Sequence, residues 1–499
     1  MLLMMINLLN YMDRYVLSAV EPRIADEFFG PAAGAEGAAA QGAEGGAAPK
    51  QRDKWVEAKM GALSTAFMVS YMLFAPLFGL LADRIPRWWL IGFGVAIWSL
   101  ASGASGLAIG FLMLLGTRVF VGVGEAAYGP AAPAVISDMY PVSKRGTVLA
   151  WFYAAIPVGS ALGFVLGGQM LNISRWWTGH EDWRWGFYAV VFPGLLLAVF
   201  CFFIRETPRG QADASESRRP PRGAFRGQAD PSESHRPDGA VSREQADASK
   251  SHSASWADYG IILRTPSFIF MTLGYTALTF VQGGVAFWMP HYVSENRGQS
   301  DLAQAGSIFG AIVVVSGLFS TVLGGWVADR LRDKLPGAYL LVSGWGVLLA
   351  FPLMLCVIFV DFPYAWGFIF LSVFFMFFNT GPINTVIANV IHPSVRASAF
   401  AVNILVIHLF GDAASPAIMG WLAGVARELV AEGKVTGWMA AILGRNQGMD
   451  FSMGAASVFL LLAGLIWLWG ARYLERDTAM APYRISGATA PLSPPVSPT

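Results

Sequence analysis

Asp13 and Arg14 interrupt the apolar run INLLNYMDRYVLSAV, and Arg118 and Glu125 interrupt RVFVGVGEAAYGPAAPAV. Ionisable groups inside long apolar runs are rare and costly to bury, which makes each a functional candidate. Two carboxylates in an apolar cavity cannot both stay ionised without a cation. Arg118 is the obvious partner, because its charge persists at any physiological pH. It lies seven residues from Glu125, almost two helical turns, so both share one helix face. Burial and a neighbouring arginine pull a carboxylate's proton affinity in opposite directions, leaving it able to titrate during a working cycle. That is the chemistry of proton coupling; the alternative is a purely structural ion network.

A second constellation is NILVIHLFGDAASP, where His408 and Asp412 are four apart and share a face just before a Ser-Pro break. The pair is a further proton-coupling candidate, against the reading of a packed histidine. Asn379, Asn384 and Asn389 are neutral polar groups that either bind a head group or join helices. Tyr275, Gln282, Phe287 and Trp288 form a mixed polar and aromatic face, suited to an amphiphile or simply to packing. Arg118, with Arg14, is placed to hold an anion, so a phosphate-bearing lipid fits both ends of this set.

The elements that must position these groups follow from composition. The chain has 499 residues, 55% hydrophobic and 13% charged, against about 25% charged for a soluble protein. Mean hydropathy is +0.50, which excludes a water-soluble globular enzyme and intrinsic disorder alike. A formal net charge of +1 offers no basic field for nucleic acid. Cys201 and Cys356 stand far apart in apolar runs, so neither a disulfide framework nor a zinc site is available. A membrane-spanning helix needs about 20 mostly apolar residues. Six such runs lie near 2–28, 56–82, 88–110, 112–140, 143–170 and 184–204, and six more near 266–293, 302–328, 336–359, 363–391, 395–425 and 450–473. The expected fold class is an all-α polytopic membrane protein with two six-helix bundles, 1–205 and 254–475.

Lys and Arg counted over the loops place both termini in the cytoplasm, with 21 inside, 11 outside and 2 within spans. Between the bundles, 206–253 reads as a flexible linker. Its RGQADASES (209–217) returns as RGQADPSES (226–234) and REQADASKS (243–251), a period of 17. Such polar repeats cannot bury a core, and duplication or regulation would each account for them. WADYGIIL (256–263) suits a short amphipathic helix on the cytoplasmic surface, 30–48 a flexible outer loop, and 476–499 a disordered tail. Twelve residues precede Asp13, about 18 Å of helix, without the flank or cleavage site of a removed leader. The first helix therefore begins abruptly, or the native start lies upstream.

GLLADRIPR (79–87) closes the second span, and GWVADRLRD (325–333) closes the eighth. Asp83, Arg84 and Arg87 form a charge cluster at the membrane surface, which Asp138 and Arg145 can complete. With Gly79, and with Asp329 and Arg330 in the second copy, it makes a cytoplasmic gate; the alternative is ordinary topology charges. Gly-x-x-x-Asp-Arg at these two turns resembles the signature loop of the major facilitator superfamily, with Pro86 where glycine is usual. The resemblance covers the whole chain and implies two six-helix halves around a midplane site.

NYMDR (10–14), GVGEAAYGPAAP (122–133) and HLFGDAASP (408–416) narrow this to a resemblance to the Spinster family, whose members move lysophospholipids and sphingosine-phosphate. It implies proton-coupling and head-group roles for Asp13, Arg118 and Glu125, and a similar one for His408. The expectation is a proton-coupled secondary transporter of amphipathic lipids, working by alternating access. It would draw energy from the proton gradient without a cofactor, act as a monomer with lipid, protons and bilayer as its partners, and sit in the inner membrane if bacterial. Rival readings are a proton-coupled exporter of small polar metabolites or drugs, and a non-transporting receptor or scaffold. The latter gives no reason for charges inside the bilayer. No nucleophile–base pair or metal-ligand spacing points to an enzyme.

Overall fold

The computed structural model describes residues 1–30, 54–213, 254–298, 302–443 and 445–485. Nearly all of the 30–48 loop, the second and third linker repeats and the last part of the tail lie outside the described residues. The described residues are mostly helical. The first set comprises α1 (Leu2–Phe29), α2 (Lys54–Ala82), α3 (Arg87–Gly106), α4 (Phe111–Tyr128), α5 (Ala131–Met139), α6 (Val142–Thr178) and α7 (Arg184–Phe203). The second begins with the short α8 (Asp258–Ile262), then α9 (Pro266–His291), α10 (Leu302–Arg332), α11 (Ala338–Phe359), α12 (Ala365–Phe377) and α13 (Thr380–Val390). It ends with α14 (Arg396–Ile407), α15 (Ser415–Ala431), α16 (Gly437–Leu443) and α17 (Met449–Met480).

Among the described residues, 11 helical stretches are long and apolar enough to cross a membrane. The twelfth is α1, whose 28 residues reach about 42 Å. Its shortfall in apolarity comes from Asp13, Arg14, Glu21, Arg23, Asp26 and Glu27. Span four is broken between α4 and α5 at Gly129-Pro130, where proline lacks the amide an uninterrupted helix needs. Span ten breaks at Phe378 and Asn379, just before Gly381-Pro382. In span eleven a wide π-type turn, His408–Asp412, precedes Ser415-Pro416; such turns are frequent at functional sites.

The chain forms two compact units that cut across the two halves of the sequence. The first is Met1–Phe74, Trp88–Tyr128 and Val158–Ile204. The second is Ala75–Arg87, Gly129–Pro157 and Arg205–Thr499. One end of spans two, four and five therefore groups with the second half. Within the first unit, glycine lets helices meet: a Cβ on Gly122 would stand 2.4 Å from the Phe67 carbonyl oxygen, and one on Gly124 2.6 Å from the Trp98 nitrogen.

Two boundaries differ from the sequence reading. The segment from 476, expected as tail, begins in helix, since α17 runs to Met480 and a short turn follows. Its Asp477 accepts from the Ser267 amide at 2.8 Å, capping the first turn of α9, and pairs with Arg484. Residues 206–213, assigned to the linker, pack onto the second unit through hydrogen bonds described below. The expected short helix after the linker is α8, with Ile262 buried and Trp256 exposed.

Candidate functional site

The first unit brings four charged side chains together, three of them buried and Arg14 half-buried. Asp13, Arg118 and Glu125 are 1%, 2% and 1% exposed. Glu125 pairs with Arg14, whose Nε donates to Oε2 at 2.7 Å. The Arg14 guanidinium lies 4.8 Å from the ring centroids of Tyr11 and Phe67 and 5.2 Å from that of Tyr71. These faces stabilise a cation that has left water. Asp13 Oδ1 accepts from the Ser102 hydroxyl, while its Oδ2 has no hydrogen-bond partner. Arg118 donates to Ser105 Oγ at 2.5 Å and lies over the Phe187 ring at 5.1 Å, and its Nε is unpartnered. Tyr128 donates to the Leu3 carbonyl at 2.7 Å, fixing α4 against α1.

The expected Arg118–Glu125 pair does not form. Long side chains on a helix run back toward its N-terminus, so the Arg118 head moves away from Glu125 and meets Ser105 instead. Arg14, expected only as an anion holder, supplies the counter-charge. Arg118 is left with no carboxylate at ion-pair distance among the described residues, although Asp13 and Glu125 act on it electrostatically. Ser102 and Ser105 were missed by sequence reasoning. Their signal is a row of serines at 99, 102 and 105, one face of the apolar α3.

The second unit holds the charge cluster that was expected to act as a gate. Asp83 accepts from the backbone amides of Ala397 and Ser398, at 3.2 and 2.8 Å, and from Arg87 at 2.9 Å. It thus satisfies orphan donors at the start of α14. Arg87 also pairs with Asp138, and Asp138 with Arg396 at 2.7 Å. Asp329 does the matching task at α6, accepting from the amides of Gly146 and Thr147 at 3.1 and 2.7 Å, from Thr147 Oγ1 at 2.7 Å and from the Tyr339 hydroxyl at 2.9 Å. Arg145 donates to the carbonyls of Ser137 and Tyr140, to Asn389 Oδ1 at 2.9 Å, and pairs with Asp213. Burial pushes the Asp213 carboxyl up, but Arg396 and Arg145 outweigh it and hold the group below its ordinary value.

Of the expected gate residues, the structure brings together Gly79, Asp83, Arg87, Asp138, Arg145 and Asp329. Gly79 faces α14, where a Cβ would stand 2.5 Å from that of Ala401. Arg84 turns away to the Ala254 carbonyl at 2.6 Å, and Arg330 lies over Trp326. Arg396, Asn389 (expected only to bind a head group or join helices) and Asp213 were missed as members of this cluster. The first two become visible when the halves are aligned on each other. VISD (135–138) and Arg145-Gly-Thr return as VIAN (386–389) and Arg396-Ala-Ser, each 251 residues on.

His408 Nδ1 and Asp412 Oδ2 are 2.9 Å apart, both partly exposed, in the second unit. Four of the expected substrate contacts donate to backbone carbonyls instead. Gln282 and Asn379 bind that of Met376, Asn384 that of Thr380 and Trp288 that of Pro416, at 3.3, 2.7, 2.8 and 2.9 Å. The Gln282 and Trp288 bonds join α9 to other helices, whereas those of Asn379 and Asn384 stay within span ten and leave Asn379 Oδ1 unpartnered and buried. Tyr275 is half-buried on α9.

Residues 3–416 match the model of the Major Facilitator Superfamily. Spinster homolog 1 of Homo sapiens is 31% identical, over 97% of this chain and 82% of its own length. Spinster homolog 3 of Danio rerio is 30% identical over 97% and 86%. Among solved structures, a bacterial homologue of the human lysosomal transporter Spinster, inward-facing and occupied, superposes with a TM-score of 0.57 at 21% identity, covering 95% of this chain and 97% of that one. The proton:xylose symporter XylE does so with 0.62 at 15%, covering 94% of each. Both share the fold. The chain is a multi-pass membrane protein of the major facilitator superfamily, and within it belongs to the Spinster family.

Proposed function

We propose that this protein is a proton-coupled secondary transporter of amphipathic, anion-bearing lipids such as lysophospholipids or sphingosine-phosphate, working by alternating access. The observation that carries the reading is the buried set of the first unit. Glu125 is neutralised by Arg14, and Asp13 keeps one oxygen unpartnered beside an Arg118 without a carboxylate of its own. A buried acid with a spare oxygen can take and release a proton, and a buried, unpaired guanidinium is a seat for an anion. Family membership supports transport, and the bilayer supplies the amphiphile. In this reading both termini are cytoplasmic, the membrane is the inner one in a bacterium, and the monomer works without a cofactor.

The test is flux into proteoliposomes with a panel of lysolipids and one small polar anion, with and without an imposed pH gradient. Gradient-dependent movement of lysolipids is expected. Movement of the small anion alone, or lysolipid flux indifferent to the gradient, would overturn the lipid or the proton part respectively.

A further inference from the structure

The two copies of the seal are not equivalent in charge. Asp83 and Asp329 each accept two backbone amides near the start of α14 and of α6, and Arg396 and Arg145 stand at the same place in each copy. Yet Asn389 occupies the position that corresponds to Asp138, and Asp333 the one that corresponds to Arg87. Arg396 therefore has the Asp138 carboxylate, whereas at the matching place Arg145 meets the neutral oxygen of Asn389. Both arginines are sealed from water, at 2% and 0% exposure, and they repel each other. A buried guanidinium without a counter-ion is strongly unfavourable.

The missing charge comes from outside the bundles. Asp213 sits between the two arginines, Oδ1 toward Arg145 and Oδ2 toward Arg396 Nη2 at 2.8 Å. The segment before it is fastened at two further points. Arg209 donates to the carbonyls of Ala82 and Ile85 at 3.3 and 3.2 Å, and the Gly210 amide donates to Asp138 Oδ1 at 3.0 Å. Gly210 is left-handed, at φ +69°, and a Cβ there would stand 2.9 Å from Pro393.

We propose that residues 209–213 are a strap that completes the seal, with the Asp213 carboxylate standing in for the acid that position 389 lacks, and that this end opens only when the strap leaves its seat. The consequence for opening rests on the alternating-access reading above, but the docking is tested without substrate. Spin labels on the full chain at Lys144→Cys and Lys334→Cys, two exposed positions on α6 and just past α10, report this end by pulsed dipolar distances in nanodiscs. The same Arg-x-Gln-Ala-Asp pattern recurs at 226–230 and 243–247, so D213N is made alone and together with D230N and D247N.

The triple variant is expected to raise the long-distance fraction at least threefold, D213E to retain the parent distribution, and N389D added to the triple variant to restore it. If D83N opens this end and the triple variant does not, the strap is overturned while the gate stands. An open triple variant that N389D fails to close overturns the charge replacement. If D83N also leaves the distances unchanged, the gate reading fails and the strap with it.

Discussion

Asp83 and Asp329 occupy the same place in one repeated motif, and each takes two backbone amides near the start of a helix in the opposite half. Their remaining partners differ. Asp83 also holds Arg87, which leads through Asp138 to Arg396, whereas Asp329 is completed by the neutral hydroxyls of Thr147 and Tyr339. The helix-terminus contact, which depends on backbone geometry, is thus shared by the two copies. The ionic part, which depends on side-chain identity, is concentrated in one. The expectation for the proposed gate is that the amide contacts set where the helices meet and the charges how firmly.

The comparison is sharpened first at Asp138. D138N removes the carboxylate that serves Arg87 and Arg396 together, and a buried pair that loses one partner costs about 3–5 kcal/mol. The long-distance population between labels at positions 144 and 334 should then dominate. D83N comes next. An amide offers one acceptor oxygen where two are in use, and hydrogen bonds to charged groups are each worth about 1.5–3 kcal/mol. A shift of tenfold or more toward the open form is expected, and a closed population equal to the parent's would remove Asp83 from the gate.

D329N should act in the same direction but weakly, by about 1 kcal/mol, because the partners of Asp329 are amides and neutral hydroxyls and not an arginine. An effect as large as that of D83N would mean that capping, and not charge, governs the seal. The smallest expected effect is that of pH on Asp213. Its carboxyl is held below its ordinary value when sealed. Its contribution is therefore full above the free value of about 3.9 and lost only as pH falls through the sealed-state value. Between pH 5 and 8 the difference in opening between D213N and its parent should stay constant. A difference that shrinks across that range would place the titration elsewhere.

The twelve spans, the paired motif and its acids were legible in sequence because apolar length and Gly-x-x-x-Asp-Arg are local signals. Partners were less so. Helical period shows which residues share a face but not which way a side chain runs, and this hid the Arg14–Glu125 pair behind Arg118. Asn389 at the end of span ten and Arg396 at the start of span eleven look ordinary until they are compared with 138–147. Asp213 was hidden by its surroundings. A polar repeat reads as solvated chain, and only the unbalanced Arg145 says that one of its acids belongs inside.

The central claim is that protons are read at the buried acids of the first unit. It is tested by titrating the 144–334 distance from pH 5 to 8 in the parent, D13N, E125Q and R118A, with lysolipid binding measured alongside. The account predicts that D13N and E125Q each abolish the pH response and largely keep binding, whereas R118A weakens binding. If D13N and E125Q each keep the parental response, protons are not read there, and the coupling site must be sought at His408 and Asp412.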